Sequence, residues 1–372
     1  MNRILIVILI AFSFKMSAQE KVELEKPHID RKVELLSIVF RLAERPEYSS
    51  NVFKLYYDRI EQYFEEYKNH ELIQFTKSII GERGLSYDSP MWMAIYLDDN
   101  LKPLTNVSSS IWQRDPRWTK ENVEKFIPLL QQFAKDTKFD VFFNENTDLY
   151  NDAVKCFATM YEPLDLNWYL NFYGKEPSET FSIILGLVSY SNYGPSIDYT
   201  DGSRKVFSIV GVLHSDSTGM PKFEYNPLAS ITIIHEFHHS FINYLIDKNK
   251  EAFRESGEKI FSVVKETMAK QAYNTWEIMM YEALVRAAVV KYVKDSDYYQ
   301  NKMGNYYQQM IEFLINSEKE NGFCWIEELV AELESYNNQR DVYPTLESYM
   351  PKLIEAYNTW AEKIQANTLS NE

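Results

Sequence analysis

The segment from residue 227 to residue 248, PLASITIIHEFHHSFINYLIDK, limits how the rest of the chain can be arranged. As a helix, this segment would carry apolar side chains on every side. A helix that is apolar all round has to be covered by other elements. The segment therefore predicts a core helix, with Asn226 as its N-cap and Pro227 in its first position.

Helical periodicity also dominates both ends of the chain. In the N-terminal part, apolar residues recur every three or four positions in residues 32–44, 51–69 and 121–136. Asn51 and Thr119 are the expected N-caps of the second and third of these helices. After residue 250 the same spacing predicts further helices at 251–270, 274–295, 303–317, 325–337 and 345–366.

Two central stretches have a different pattern. Residues 179–194 and 204–216 are rich in β-branched and aromatic residues and are bounded by polar and glycine-containing turns. This pattern predicts two neighbouring strands. The fold class we expect is therefore α+β, mostly helical, with a small central sheet beside the helix of residues 227–248.

The domain organisation follows from the same patterns. We expect an N-terminal helical region (20–175), a core that carries the sheet and the histidine-rich helix (176–300), and a C-terminal helical region (301–372). The sequence contains no internal repeat, no low-complexity segment and no flexible linker. Residues 20–372 are therefore predicted to form one compact domain.

Residues 1–19 have the pattern of a secretory signal peptide. Arg3 supplies the positive charge, residues 4–14 are apolar, and cleavage is expected after Ala18 or Gln19. The apolar run is shorter than the roughly 20 residues that a membrane-spanning helix needs. No cysteine lies near the cleavage site to carry a lipid anchor. We therefore expect a secreted or periplasmic protein with no membrane insertion after cleavage.

Charge and cysteine content narrow the possible partners. The formal net charge is −15, and loss of Arg3 and Lys15 with the signal peptide makes it more negative. An acidic surface repels nucleic acid and anionic lipid, so we expect neither as a partner. In an exported protein Cys156 and Cys324 could form a disulfide. Two buried thiols are the alternative, and the sequence leaves both open.

The candidate chemistry lies in the sequence His235-Glu236-Phe237-His238-His239, which holds three of the chain's six histidines. Residues four apart on a helix share a face, about 6 Å apart along the axis. His235 and His239 can therefore bind one tetrahedral ion. Zn²⁺ suits two imidazole nitrogens and leaves a position for water.

Glu236 and His238 have different expected roles. Glu236 lies about 100° around the helix from His235, where it can act as general base when a zinc-activated water attacks a carbonyl carbon. His238 could replace His239 as a ligand, but Glu236 would then be poorly placed. We therefore expect His238 to support the ligands or to pack in the core. A set of hydrogen-bonded core histidines without a metal is the alternative to the whole site.

The third ligand is expected to be a carboxylate. No histidine follows His239, and the third-histidine pattern of metzincins fails because Ile242 and Leu245 occupy its positions. Most of the later acidic residues lie on polar helix faces. The exception lies on an apolar face of the helix predicted at 274–295.

Glu282 is the preferred candidate for this ligand, because an unpaired carboxylate on an apolar face would be costly. Arg286, one turn later, can pair with Glu282 or orient it. Glu277 and His214 remain alternative ligands, and a buried Glu282–Arg286 pair without a metal is the other explanation. The apolar neighbours of Glu282 are Ile278, Met279 and Val285.

Weaker candidates concern the substrate. The strand at 206–214 fits an edge strand that binds an extended peptide by strand addition, although an ordinary sheet strand is an equal alternative. Gly211 would allow close approach of a peptide backbone. The segment 191–196, SNYGPS, indicates a turn, and we place Tyr193 at the rim of the cleft.

His235, Glu236, His239 and a glutamate on a later helix resemble the gluzincin class of zinc metallopeptidases. The resemblance implies that His235, His239 and Glu282 bind Zn²⁺ and that Glu236 is the catalytic acid/base. The chain lacks a downstream histidine to stabilise the oxyanion, so a tyrosine would have to serve. Tyr273 and Tyr281 lie near the right region for that role.

A wider resemblance covers nearly the whole mature chain. Five segments are similar to a family of exported bacterial proteins of unknown function: YDSPMWMAIYLDDN, SNYGPS, HEFHHSF, EALVRAAVV and RDVYPTLESYMP.

The function we expect is that of an exported zinc metallopeptidase acting on a peptide or protein substrate. One alternative is a zinc hydrolase of another amide or ester, and another is a zinc-binding scaffold without turnover. A non-catalytic binding protein for peptide or carbohydrate is also possible, because the chain contains 27 tyrosines and 22 phenylalanines.

Overall fold

The computed structural model describes residues 25–175, 179–224, 226, 228–271 and 273–369. The expected signal peptide (1–19) and Pro227 lie outside the described residues. Among the helices that are described, none is both long enough and apolar enough to cross a membrane.

The N-terminal half is helical, as the periodicity predicts. Thr119 is confirmed as an N-cap, since its hydroxyl oxygen accepts from the Asn122 N–H at 3.0 Å. Asn51 is not a cap, because its side-chain oxygen accepts instead from Arg41 at 2.9 Å. The helices are α1 (Arg31–Leu42), α2 (Lys54–Phe64), α3 (Glu71–Arg83), α4 (Ser89–Ile95), α5 (Ile111–Arg114), α6 (Lys120–Asp136), α7 (Phe139–Glu145), α8 (Thr147–Cys156) and α9 (Leu166–Tyr173).

A small sheet follows in the described part of the chain, formed by β1 (Glu179–Gly186), β2 (Ser196–Asp198) and β3 (Arg204–Gly211). The strand order is β1-β3-β2. β1 pairs with β3 in parallel over its whole length, which confirms that the two predicted strands are neighbours. β2 pairs with the start of β3 in antiparallel orientation.

The expectation that β3 is an edge strand is wrong. β3 is the central strand, and its second side is covered by residues 193–198. Tyr193 exchanges both backbone hydrogen bonds with Ile209, at 2.9 and 2.8 Å. The edge of the sheet on this side is therefore formed by residues 193–198. The sequence gives little sign of this pairing, because residues 191–196 (SNYGPS) have the composition of a turn.

The helical C-terminal half begins later than expected. The first of these helices starts at Ile231 with Ser230 as N-cap, because Asn226 closes a preceding turn by accepting from the Leu228 N–H at 2.7 Å. The helices are α10 (Ile231–Lys248), α11 (Lys250–Ala269), α12 (Trp276–Asp295), α13 (Asp297–Met303), α14 (Tyr307–Glu320), α15 (Ile326–Asn337) and α16 (Leu346–Leu369).

Two buried helices lie side by side at the centre. α10 packs against α12 on one side and against β1 and β3 on the other, while α11 and α15 also pack on α12. The buried apolar residues form one cluster that extends from Val33 to Ala361. The predicted α+β class, mostly helical with a small sheet, is confirmed. Cys156 and Cys324 are free thiols, so the disulfide does not form.

Candidate metal centre

Three predicted ligands meet between α10 and α12. His235 and His239 lie one turn apart on α10, with their Nε2 atoms 3.1 Å apart. Glu282 faces them from α12. Its Oε2 lies 3.5 Å from His235 Nε2, and its Oε1 lies 3.4 Å from His239 Nε2. The packing of two buried helices therefore brings together residues that are 43 positions apart in the sequence, counting from His239 to Glu282.

The spacing of these atoms suits a tetrahedral ion. With bonds of about 2.0–2.1 Å, a tetrahedral zinc ion holds its ligand atoms roughly 3.3–3.4 Å from one another. The two nitrogens are 3.1 Å apart, and they lie 3.5 and 3.4 Å from different oxygens of Glu282, so the separations lie on both sides of that value. The side chains retain 19%, 18% and 12% of their exposure, so solvent reaches the centre. The three residues therefore fit a zinc ion in donor type and in spacing.

The tautomer of His239 is set by Asn243, one turn later on α10. His239 Nδ1 lies 3.0 Å from the amide oxygen of Asn243. That oxygen can only accept, so Nδ1 carries a proton, and Nε2 is the nitrogen that would bind a metal ion beside Glu282. Our sequence reasoning missed Asn243. Its position four residues after a proposed ligand, in an apolar segment, is the signal that could have identified it.

Glu282 is buried, with 9% exposure, yet it is held as a carboxylate. Burial raises its pKa, but hydrogen bonds and charge from His235 and His239 hold that pKa well below the usual value. For His239, burial lowers the pKa, and the hydrogen bond to Glu282 raises it, to about 9. Without a metal, a proton on His239 therefore offsets the charge of the Glu282 carboxylate. A cation bound here would take the place of that proton.

Arg286 lies beside Glu282 as expected. Its Nε is 3.4 Å from Glu282 Oε2. Tyr273 also contacts this ligand, because its hydroxyl donates to Glu282 Oε2 at 3.1 Å. Tyr281 instead donates to Asp247. Of the two tyrosines considered for stabilising the oxyanion, Tyr273 is thus bonded to Glu282 and Tyr281 to Asp247.

Glu277 and His214, the alternative ligands to Glu282, do not lie at the metal centre. Glu277 forms an ion pair with Lys250 at 3.0 Å. Among the described residues, the only group that could hold a metal ion consists of His235, His239 and Glu282, without His214.

Of the two expectations for His238, support of the ligands or packing in the core, the structure shows the second. It is fully buried, and its Nδ1 lies 2.6 Å from the hydroxyl of Tyr173. Burial holds its pKa well below the usual value, so the ring is neutral. The rings of Trp168, Tyr169 and Tyr292 surround it.

Glu236 lies beside the sheet edge formed by residues 193–198. The α-carbon of Gly194 packs so closely on the Glu236 carboxylate that a Cβ at this position would overlap Oε2. Within the described residues, no hydrogen bond or ion pair engages that carboxylate. Glu236 lies close enough to His239 for its charge to act on that ring. We had interpreted the segment with Gly194 only as a turn.

The two weak substrate candidates have structural roles here. Tyr193 is 7% exposed, and its ring stacks on Tyr48 at 6.2 Å between centroids. Its side chain is thus not at an open rim. A Cβ at Gly211 would lie 2.6 and 2.7 Å from the carbonyl oxygens of Ser191 and Ser189. The close approach at Gly211 is therefore to the chain's own turn, not to a substrate strand.

A small cavity of about 20 Å³ lies between β3 and the start of α10. The three candidate ligands and Glu236 are not part of its lining. Such a volume accepts about one methyl-sized group or one water molecule. Its lining includes Met160, Asn192, Val210, Phe223, Ala229 and Thr232.

Fold and site together define a mostly helical α+β protein with a cluster of two histidines and one glutamate, beside a free second glutamate. The chain belongs to the family described as a domain of unknown function (DUF4932), whose model matches residues 26–356. That match includes every residue of the cluster. Searches of curated proteins and of solved structures found no match.

Proposed function

We propose that this protein is an exported zinc-dependent peptidase of the gluzincin type, which hydrolyses peptide bonds in a peptide or protein substrate. One observation carries the proposal. The Nε2 atoms of His235 and His239 lie 3.1 Å apart, and each lies 3.4–3.5 Å from one oxygen of Glu282. The Glu236 carboxylate packs on Gly194, and its charge acts on His239. Holding two histidines and two glutamates together in partly buried positions is costly unless a cation or a reaction needs them.

Each residue has a defined role in this proposal. His235, His239 and Glu282 hold the zinc ion, with Asn243 orienting His239. Zinc would supply a Lewis acid that lowers the pKa of a water molecule and polarises the scissile carbonyl. Glu236 takes a proton from the attacking water at its carboxylate. It then donates this proton to the leaving amine as the carbon–nitrogen bond breaks.

The sheet edge offers a place for an extended substrate. Because Tyr193 N–H and C=O and Pro195 C=O bond to β3, the N–H and C=O of Gly194 between them point away from the sheet. A peptide could pair there by strand addition. Pro195 does not shorten this pairing, because its C=O and its nitrogen face β3. The pairing could extend as far as Asp198, whose C=O accepts from the Ser108 N–H at 2.8 Å.

Metal analysis and one conservative variant test this function. Purified mature protein is expected to contain about one zinc per chain. Glu236→Gln should keep this zinc and lower cleavage of a peptide library by about 10²–10⁴-fold, the usual contribution of a general base. Glu277→Gln, which removes a carboxylate paired with Lys250, is the matched control and should cleave normally.

The possible outcomes separate the alternatives. Absence of zinc would exclude the metal centre and favour a non-catalytic binding protein. Stoichiometric zinc without cleavage of peptides, amides or esters would indicate a scaffold without turnover. Cleavage of simple esters or non-peptide amides alone would identify a different zinc hydrolase. Full activity of Glu236→Gln would remove Glu236 from the mechanism.

A further inference from the structure

Glu318 on α14 is a half-buried carboxylate that the proposed reaction does not use. Its Oε2 accepts from Arg286 Nη1 at 2.6 Å, and the two side chains retain 18% and 16% of their exposure. Asn321 donates to the same oxygen at 3.3 Å. The backbone carbonyl of Asn321 in turn accepts from the side chain of Gln271 at 2.7 Å. Glu318 is thus held in place from two sides.

Arg286 connects Glu318 to the third ligand by two routes. Its Nη2 donates to the Tyr273 hydroxyl at 2.9 Å, which donates to Glu282 Oε2 at 3.1 Å. Its Nε lies 3.4 Å from the same Oε2. Arg286 and Tyr273 therefore both contact Oε2 of Glu282, the oxygen that lies 3.5 Å from His235 Nε2. The guanidinium also lies over the rings of Tyr273 and Phe323, where water screens its charge poorly.

The charges explain why this arrangement needs Glu318. Arg286 steadies Glu282, but an uncompensated guanidinium this close to a divalent cation would repel it, and poor screening makes that repulsion stronger. Glu318 offsets the charge of Arg286. With Glu282 ionised, the three side chains then carry a net charge of −1, which favours a cation.

We propose that Glu318 is a positioning residue of the metal centre, which acts through Arg286 and Tyr273 to hold Glu282 in the geometry of the third ligand. The inference rests on the proposed zinc site. It assigns to α14 a part in a centre whose ligands all lie on α10 and α12. Partners of this kind, one shell beyond the ligands, typically change metal affinity by about 10- to 100-fold.

Zinc affinity of the folded protein, measured by competition with a chromophoric chelator, is the first test. Glu318→Gln removes the charge and keeps the shape, and it should weaken zinc binding by about 10- to 100-fold. Glu320→Gln makes the same charge change at an exposed position of the same helix and should bind zinc like the wild type. Glu318→Asp should recover part of the lost affinity.

A double-mutant cycle separates positioning from a merely structural effect. If Glu318 acts through Arg286, the Glu318→Gln change should have little further effect on zinc affinity in the Arg286→Met background. Tyr273→Phe, which breaks only the hydroxyl route, provides a milder second perturbation and should also weaken binding. In the cobalt-substituted protein, Glu318→Gln should shift the visible absorption bands, because they report ligand geometry.

Two results would overturn the inference: equal zinc affinity of Glu318→Gln and wild type, or the same loss of affinity with and without Arg286. Either result would leave the proposed function standing. If wild-type protein binds no zinc, the proposed function and this inference both fall. If it binds zinc tightly but cleaves nothing, the catalytic part of the proposed function fails and the role of Glu318 is still decided by the affinities.

Discussion

Glu34 is a buried carboxyl group, far from the metal centre in the sequence, and no cationic side chain among the described residues pairs with it. Its Oε1 accepts from the Leu187 N–H at 3.0 Å, and its Oε2 accepts from the Tyr56 hydroxyl at 2.9 Å. Burial raises its pKa to about 7, against the lowering effect of these two hydrogen bonds. Glu34 therefore links α1, α2 and the end of β1, and its contribution to the free energy of unfolding depends on pH.

The sign of that dependence follows from linkage. Between pH 4.5 and 7 the folded protein keeps a proton on Glu34 that the unfolded chain has lost, so stability falls as pH rises through this window. A shift of this size corresponds to about 3 kcal/mol. Glu34→Gln should remove this loss, so that the variant gains stability relative to wild type between pH 5 and pH 8.

Urea unfolding at the two pH values, with metal removed from both proteins, measures this difference. Glutamine leaves one of the two donors without its acceptor, which costs about 1 kcal/mol at every pH. Therefore only the way in which the stability difference between Glu34→Gln and wild type changes with pH tests the prediction. The prediction is wrong if both proteins lose the same stability from pH 5 to pH 8. Glu44→Gln, at an exposed position, serves as the control.

The contact between α10 and the sheet edge gives a prediction at the level of elements. Gly194 lets residues 193–195 pass directly over Glu236, and any Cβ there would displace the carboxylate. Gly194→Ala should therefore lower peptide hydrolysis by at least about 10-fold, since a misplaced general base loses much of its contribution.

Zinc affinity of the same variant provides the control for Gly194→Ala. The three ligands lie on α10 and α12 and do not contact Gly194, so zinc binding should stay within about twofold of wild type. Loss of zinc together with activity would mean that the strand supports the whole centre. Unchanged activity would contradict the proposed place of Glu236.

At the scale of the whole molecule, a bound ion would join two central helices. α10 and α12 share the ligands, and both pack within the cluster that extends from Val33 to Ala361. A ligand that binds only the folded state stabilises it, by about 2.7 kcal/mol at 100 times its dissociation constant. Zinc should therefore raise the unfolding temperature of the protein, and a chelator should lower it.

Glu282→Ala makes this prediction specific. The variant should lose tight zinc binding, and its unfolding temperature should respond little to zinc or chelator. Thermal unfolding followed by circular dichroism, with and without added zinc, measures the effect. A wild-type-like response of Glu282→Ala would show that Glu282 is not the third ligand.

Much of the site could be predicted from local rules alone. The helical period places His235 and His239 on one face, because that relation depends only on backbone geometry within one turn. Glu282 could be identified because its carboxylate lies on an apolar helix face, where a buried charge needs a partner. The alternation of helical and strand patterns was likewise enough to predict a mostly helical α+β fold.

Only the tertiary structure decided what lies opposite each face. Asn51 and Asn226 are good capping residues, but Asn51 is engaged by Arg41 and Asn226 by its own turn. β3 is central because β2, a strand of only three residues just before it in the chain, pairs with its second side.

The same reason applies to the partners of the metal centre. Gly194 meets Glu236, and Glu318 meets Arg286, across elements that are far apart in the chain. Periodicity tells which side of an element is buried but not which residues bury it. That choice depends on how all the elements pack together, so no local pattern of residues contains it.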